Sequence, residues 1–147
     1  MPTSGSGARH VKELALFLSV YRDAGPAILW PEHDHPSSHP KATAADLAVL
    51  EAELSTVLGT AVRITHDAPD APRQTRQGPD STHTLVQQLS GGGDWTLHPG
   101  TGDNAPTAPF HCRLRAGELL YVPPGRAWTA DLSASARYLL IRIEPAA

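Results

Sequence analysis

The chain has 147 residues and a mass of 15.6 kDa, the usual size of one globular domain. Its formal net charge is -3, and its 12 lysines and arginines are scattered rather than grouped, so nucleic acid is not an expected partner. The apolar runs are short, and the sequence does not open with a basic segment followed by an apolar one. We therefore expect no membrane span and no secretory signal, and predict a cytoplasmic protein.

The first part of the chain is predicted to be helical. Residues 1–9 are small and polar and are expected to be disordered. Apolar residues recur at helical spacing over residues 10–24, and Gly25-Pro26 follows as a stop signal. Thr43, with Asp46 three residues later, predicts the start of a second amphipathic helix over residues 43–58.

The pattern of the sequence changes from helical to β beyond residue 60. Short alternating segments are separated by turns rich in glycine and proline, with a polar, proline-containing loop expected at 66–80 and a hairpin turn at 90–94. Strands are predicted at 26–30, 61–65, 81–89, 95–98, 110–115, 119–122, 127–131 and 137–143. Two helices outside these strands favour a β-barrel or sandwich, with residues 10–147 as one domain and the barrel over 60–145.

Cys112 is the single cysteine, so the chain cannot form an intramolecular disulfide. It follows His111 in a segment that alternates like a strand, where neighbouring side chains point to opposite faces. A catalytic Cys-His pair is therefore not expected, and the thiol is predicted to be a small buried side chain.

Two stretches of the β region carry motifs. Residues 117–128 combine a Gly-Glu turn with Tyr121, Pro123 and Gly125, and residues 85–99 combine a strand, a glycine hairpin and a return strand that contains Trp95. In this order the two stretches resemble the JmjC-like cupins of the Fe(II)/2-oxoglutarate oxygenase superfamily. The resemblance implies a mainly β fold, the cupin-type double-stranded β-helix or jelly-roll barrel, with two N-terminal flanking helices.

The resemblance also implies where an iron site would lie. Such enzymes hold Fe(II) with a His-x-Asp pair on an early strand and a distal histidine. Alignment of the motifs places these ligands on Gly78, Asp80 and Trp128, and only Asp80 is a ligand type because the indole nitrogen carries a hydrogen. The lysine that binds 2-oxoglutarate falls within Gly91–Gly93. We therefore predict a degenerate metal site with no cofactor, in a pocket lined by Thr82, Gln88, Trp95, Arg126, Trp128 and Ala130.

A second group of histidines, His33, His35 and His39, lies in one proline-rich loop. Their number is sufficient for zinc, but structural zinc sites usually include cysteines or a helical His-x3-His pair. The favoured interpretation is an exposed loop that binds metal only adventitiously.

Three functional hypotheses follow from these observations. The first is a JmjC-like cupin that has lost its Fe(II)/2-oxoglutarate site and acts as a small-molecule-binding or protein-assembly module, as a homodimer with helix 43–58 as a candidate interface. The second is a metal-independent isomerase, cyclase or dehydratase, with Asp80 as general acid or base and Arg126 or His111 in support. The third is an active oxygenase with shifted ligands drawn from Asp80, His83, His98 and His111.

Overall fold

The computed structural model describes residues 5–22, 24–67, 74–99 and 108–145. Helix α1 (Gly5–Tyr21) and helix α2 (Ala44–Leu58) are separated by the short strand β1 (Ala27–Leu29) and a single 3-10 turn (Pro36–Ser38). The remaining strands are β2 (Val62–His66), β3 (Gln74–Gln77), β4 (His83–Ser90), β5 (Gly92–Leu97), β6 (Phe110–Arg115), β7 (Leu119–Val122), β8 (Trp128–Leu132) and β9 (Arg137–Ile143). No helix in the described ranges is both long enough and apolar enough to cross a bilayer.

The strands form two antiparallel sheets. The five-stranded sheet has the order β1-β7-β4-β9-β2, and the four-stranded sheet has the order β3-β8-β5-β6. Strands that are consecutive in sequence, such as β4 and β5 or β8 and β9, lie in different sheets, as in a jelly roll. The prediction of a mainly β barrel with two flanking helices is confirmed.

Alternation along the strands of the five-stranded sheet divides the apolar side chains between two cores. In β7, Leu119 and Tyr121 face the helices, whereas Leu120 and Val122 face the four-stranded sheet. The first core therefore lies between the helices and the sheet, and the second fills the barrel between the two sheets.

Helix α2 begins and ends where its sequence signals predict. The Thr43 side chain accepts a hydrogen bond from the Asp46 amide, and the Asp46 carboxylate accepts one from the Thr43 amide, which completes a capping box. The helix ends at Gly59, whose φ of 71° is accessible to glycine at little cost.

Three elements differ from the sequence-based expectation. Helix α1 begins at Gly5, so residues 5–9 are helical rather than disordered, while residues 1–4 lie outside the described part. Strand β3 lies within the segment 66–80, which was expected to be a loop and of which 68–73 lie outside the described residues. Gly92 and Gly93, expected in the hairpin turn, belong to β5 and pair with Arg115 and Leu114.

Candidate functional site

The three positions that align with the iron ligands lie around one cleft at an end of the barrel. Trp128 opens β8 and pairs with Gln77 of β3, which places Gly78 next to it. Asp80 precedes β4, and all three residues line the cleft together with Thr82 and Arg126. The space left between these side chains is about 10 Å³, which is room for about one water molecule.

Asp80 is held in place by both of its carboxylate oxygens. Its Oδ1 accepts hydrogen bonds from the Thr82 amide at 2.6 Å and from the Thr82 hydroxyl, and its Oδ2 lies 3.6 Å from Nε of Arg142. The side chain is 34% exposed, so Asp80 is not a buried, unpaired carboxylate. These contacts fix the loop before β4 and leave neither oxygen without a partner.

Trp128 points into the barrel and is only 4% exposed. Its ring lies 4.8 Å from that of Trp95, which in turn meets Tyr138 edge to face at 5.4 Å. Such tilted and edge-to-face contacts are favourable for aromatic rings in a core. The three rings fill the space between the sheets near the cleft, so Trp128 is a core residue rather than an open stacking surface.

Three residues predicted to line a pocket lie deeper than expected. Gln88 and Trp95 are fully buried and bonded to each other, with the indole Nε1 donating to Gln88 Oε1 at 3.2 Å. Ala130 is 4% exposed and belongs to the same core. In the described part of the chain, packed side chains therefore occupy the position of the predicted pocket.

Arg126 lines the cleft, but its guanidinium points at main-chain carbonyls. Nε donates to His98 at 2.6 Å, and Nη2 donates to Leu97 at 3.3 Å and to Ala108 at 3.5 Å. The residue is 5% exposed, and this burial lowers its pKa. Arg126 thus ties the start of β8 to the chain on either side of residues 100–107, instead of supporting Asp80.

The residues of the cleft do not fit the iron centre that the resemblance implies. Gly78 has no side chain, Trp128 presents an N–H, and the oxygens of Asp80 are engaged. Within the described residues, no group of three or more His, Cys, Asp or Glu side chains is arranged to hold a metal ion.

Two of the histidines named as substitute ligands, His83 and His111, point away from the cleft. The His83 ring bonds the Tyr121 hydroxyl at 2.7 Å, on the side of the sheet that carries the helices. His111 is exposed on the outer face of the four-stranded sheet, where it pairs with Thr96 of β5. The next residue, Cys112, is half-buried. Burial, with the charges of Glu118 and Asp94, raises the pKa of Cys112 to about 11, which disfavours the thiolate. The side chain is half-buried rather than fully buried as predicted.

Hydrogen bonds hold the histidine loop against the two helices, and its histidines are not arranged around a metal ion. The His33 ring donates to Glu13 of α1 at 2.8 Å, and the buried His35 bonds Glu53 of α2 at 3.0 Å. His39 is exposed and lines a separate surface cleft. The expectation of an exposed loop is wrong for His35, which is 1% exposed. Glu13 and Glu53, which lie in predicted helices, were the sequence signal that could have indicated these two hydrogen bonds.

A buried histidine that sequence reasoning missed lies under this loop. His10 of α1 is fully buried, its Nδ1 donates to the His33 carbonyl at 2.7 Å, and its ring lies 5.7 Å from that of His35. Burial lowers the pKa of His10 against the opposing effect of that hydrogen bond.

A second cavity lies outside the barrel, between the C-terminal end of α1 and the sheet. It has a volume of about 90 Å³, with mainly apolar walls that include Leu18, Leu58 and Ile143 and with Arg22 and Glu144 among its polar groups. The residues that line this cavity are far apart in the sequence, so the sequence alone could not predict it.

Together, the two stacked sheets and the flanking helices define a cupin-type double-stranded β-helix, and the resemblance to JmjC-like cupins is confirmed at the level of the fold. No family model and no curated protein matches the chain. Among solved structures, the X-ray structure of YcfD from Escherichia coli matches with a TM-score of 0.55 and 13% identity, over 91% of this chain and 53% of that one.

Two further solved structures are similar in the same way. A YcfD structure, described as a ribosomal oxygenase from E. coli in complex with cobalt and 2-oxoglutarate, matches with a TM-score of 0.49 and 17% identity over 70% of this chain and 29% of that one. Acireductone dioxygenase from Bacillus anthracis, with cadmium in its active centre, matches with a TM-score of 0.48 and 17% identity over 90% of this chain and 83% of that one. This chain spans 29% and 53% of the two YcfD chains. The likeness to the YcfD structure with a TM-score of 0.55, at 13% identity, shows the fold alone.

Proposed function

We propose that this protein is a JmjC-like cupin that has lost Fe(II)/2-oxoglutarate chemistry and works as a protein-assembly module. The observation that carries the proposal is the filled end of the barrel. Gly78, Asp80 and Trp128 surround a cleft with room for about one water molecule, and only one of them has a metal-binding side chain.

The position of the co-substrate lysine supports the same proposal. It falls in the hairpin at Gly91–Gly93, which offers no cation. A Cβ added at Gly93 would lie 2.7 Å from Leu132 Cδ2 and 2.9 Å from Trp95 Nε1, so a side chain there would require the packed core to shift. A dicarboxylate is many times larger than the remaining cleft, and the Arg126 guanidinium is already bonded to carbonyls.

The packed barrel also weighs against a small-molecule enzyme or binding site inside it. Trp95, Trp128 and Tyr138 occupy the interior, and His111 lies on the outer face, out of reach of Asp80. With no room for a substrate beside Asp80, the surface of the fold is the part left for function.

Restoring the two missing histidines tests the proposal. In the variant G78H/W128H, together with Asp80, the three side chains would supply a complete facial triad at the aligned positions. No described atom lies within 4 Å of a Cβ at Gly78, so the backbone at this position leaves open space for the start of a side chain. We expect the double variant to bind about one equivalent of Co(II), measured by calorimetry and by the visible absorption of the bound metal.

The matched controls are the single variants G78H and W128H and the triple variant G78H/W128H/D80N. Each lacks at least one ligand, and we expect at least a tenfold weaker affinity for Co(II) than in the double variant. If the folded double variant binds no better than the single variants, these positions are not those of a former metal site. Tight, stoichiometric binding by the wild-type protein would likewise overturn the proposal.

A further inference from the structure

Strand β1 is an edge strand with apolar surroundings. It pairs only with β7, and no other strand in the described residues lies on its second side. Open edges of this kind are usually protected by charged side chains, because they can pair with another chain. Here Ala27–Trp30 carries no charge, while Ile28 is 42% exposed and Trp30 is 69% exposed.

Helix α1 adds apolar side chains along the same edge. Glu13 accepts hydrogen bonds from the amides of Glu32 and His33, both at 2.8 Å, so this side of the helix follows the segment after β1. Leu16 and Val20 lie three and seven positions beyond Glu13, on the same side of the helix, and are 67% and 59% exposed.

The open edge is therefore lined by apolar side chains on both faces of the sheet. Ile28 is opposite Leu120, which belongs to the core between the sheets, and Trp30 follows two residues later. Leu16 and Val20 lie on the other face, that of the helices. We call these four residues, Leu16, Val20, Ile28 and Trp30, the edge patch.

We propose that the edge patch joins two copies of this chain, by antiparallel pairing of their β1 strands about a two-fold axis near Ile28. The proposal deepens the assembly function proposed above by naming the partner, and rests on it. The exposed fractions correspond to about 500 Å² of apolar surface per copy, so two copies would bury on the order of 1,000 Å² before polar atoms are counted. That area is at the lower limit for a specific interface. A patch of about 500 Å² per copy is the size of the largest apolar patch on a typical monomer, and such patches are often functional.

A second copy fits this edge better than an isolated peptide does. Pro26 and Pro31 border the strand and confine the open edge to Ala27–Trp30, which allows a peptide only a few main-chain hydrogen bonds. A second copy adds the apolar side chains of its own helix α1. Since a two-fold contact is formed by the same patch on both subunits, it covers both edge patches at once.

Sedimentation velocity of the full chain over a wide concentration range tests the proposal. We expect the wild type to have twice its 15.6 kDa chain mass at micromolar concentrations. The variant I28K/W30K should be monomeric, with its dimer dissociation constant raised at least a hundredfold because four charges meet at the two-fold axis.

The matched control is V49K/V57K on helix α2, which replaces two valines that are 45% and 53% exposed and alters the interface suggested by the sequence. We expect this variant to remain dimeric. The milder variant L16S/W30S alters only exposed side chains, should keep the circular dichroism spectrum of the wild type, and should weaken the dimer about tenfold or more.

A crosslinking experiment locates the contact. In a C112S background, I28C should give a dimer with a short bis-maleimide reagent, whereas V57C should not. A monomeric wild type, or dissociation by V49K/V57K while L16S/W30S stays dimeric, would overturn the proposal. Neither result would alter the Co(II) titrations, so failure of the dimer and failure of the proposed function are separable.

Discussion

His10 is the side chain whose chemistry depends most on its surroundings. Its Nδ1 is satisfied by the His33 carbonyl, whereas its Nε2 is buried without a hydrogen-bond partner among the described residues. Burial lowers its pKa, and the neighbouring His35 lowers it further, against smaller opposing effects of Glu13 and Asp34. The folded protein therefore disfavours the imidazolium form at this position.

This shift predicts a loss of stability in mild acid. The imidazole has an ordinary pKa of 6.5 in the unfolded chain and a lower one in the fold, so below pH 6.5 the unfolded state binds more protons. The contribution of His10 to stability is complete above pH 6.5, and it is lost as the pH falls through the window between the two pKa values. We expect a lower melting temperature at about pH 5.5 than at about pH 7.5.

The variant H10N identifies the group responsible. Asparagine keeps an N–H donor for the His33 carbonyl but does not titrate, so it should reduce the difference in melting temperature between the two pH values. Part of the difference in melting temperature should remain in H10N, because burial also lowers the pKa of His66. H39N, at an exposed histidine, is the control. An unchanged pH dependence in H10N would refute this assignment.

At the scale of elements, α2 depends on its N-terminal cap. The variant T43A removes the hydroxyl that accepts from the Asp46 amide, and we expect it to lower the free energy of unfolding by about 1 kcal/mol. T56A is the matched control, because Thr56 is exposed within the same helix and alanine is the better helix former. Urea denaturation of both variants would measure the difference, and equal loss in the two would exclude the cap as its cause.

Elements with local signals were predictable from the sequence, and elements that depend on distant contacts were not. The capping box of Thr43 and Asp46 lies at one end of α2 and Gly59 lies at the other, and each signal is local in the chain, so both ends of the helix could be predicted. Strand β3 contains only polar residues, with Gln74 and Arg76 facing outward, so no apolar alternation indicates a strand. It is a strand only because it pairs with β8. Gly93 is a residue typical of turns, yet it lies in β5 because it pairs with Leu114 of β6 and Leu132 of β8.

At the scale of the whole molecule, the motifs predicted which residues form the candidate site but not how much space the cleft contains. The alignment placed Gly78, Asp80 and Trp128 in one cleft, because motif order fixes which strand ends meet. Whether that cleft is open depends on the tilted contact of Trp128 with Trp95, which lie on strands far apart in the sequence. The edge patch likewise becomes visible only once the sheet order leaves β1 at the edge.

The most direct test of the proposed loss of iron chemistry is a thermal melt of untagged wild-type protein, under anaerobic conditions, with Fe(II) and 2-oxoglutarate added separately and together. A ligand that binds the folded state raises the melting temperature by mass action. We predict no rise with either addition or with both, and less than about 0.1 equivalent of iron retained after desalting. About one equivalent of retained iron, with a further rise on adding 2-oxoglutarate, would contradict the account.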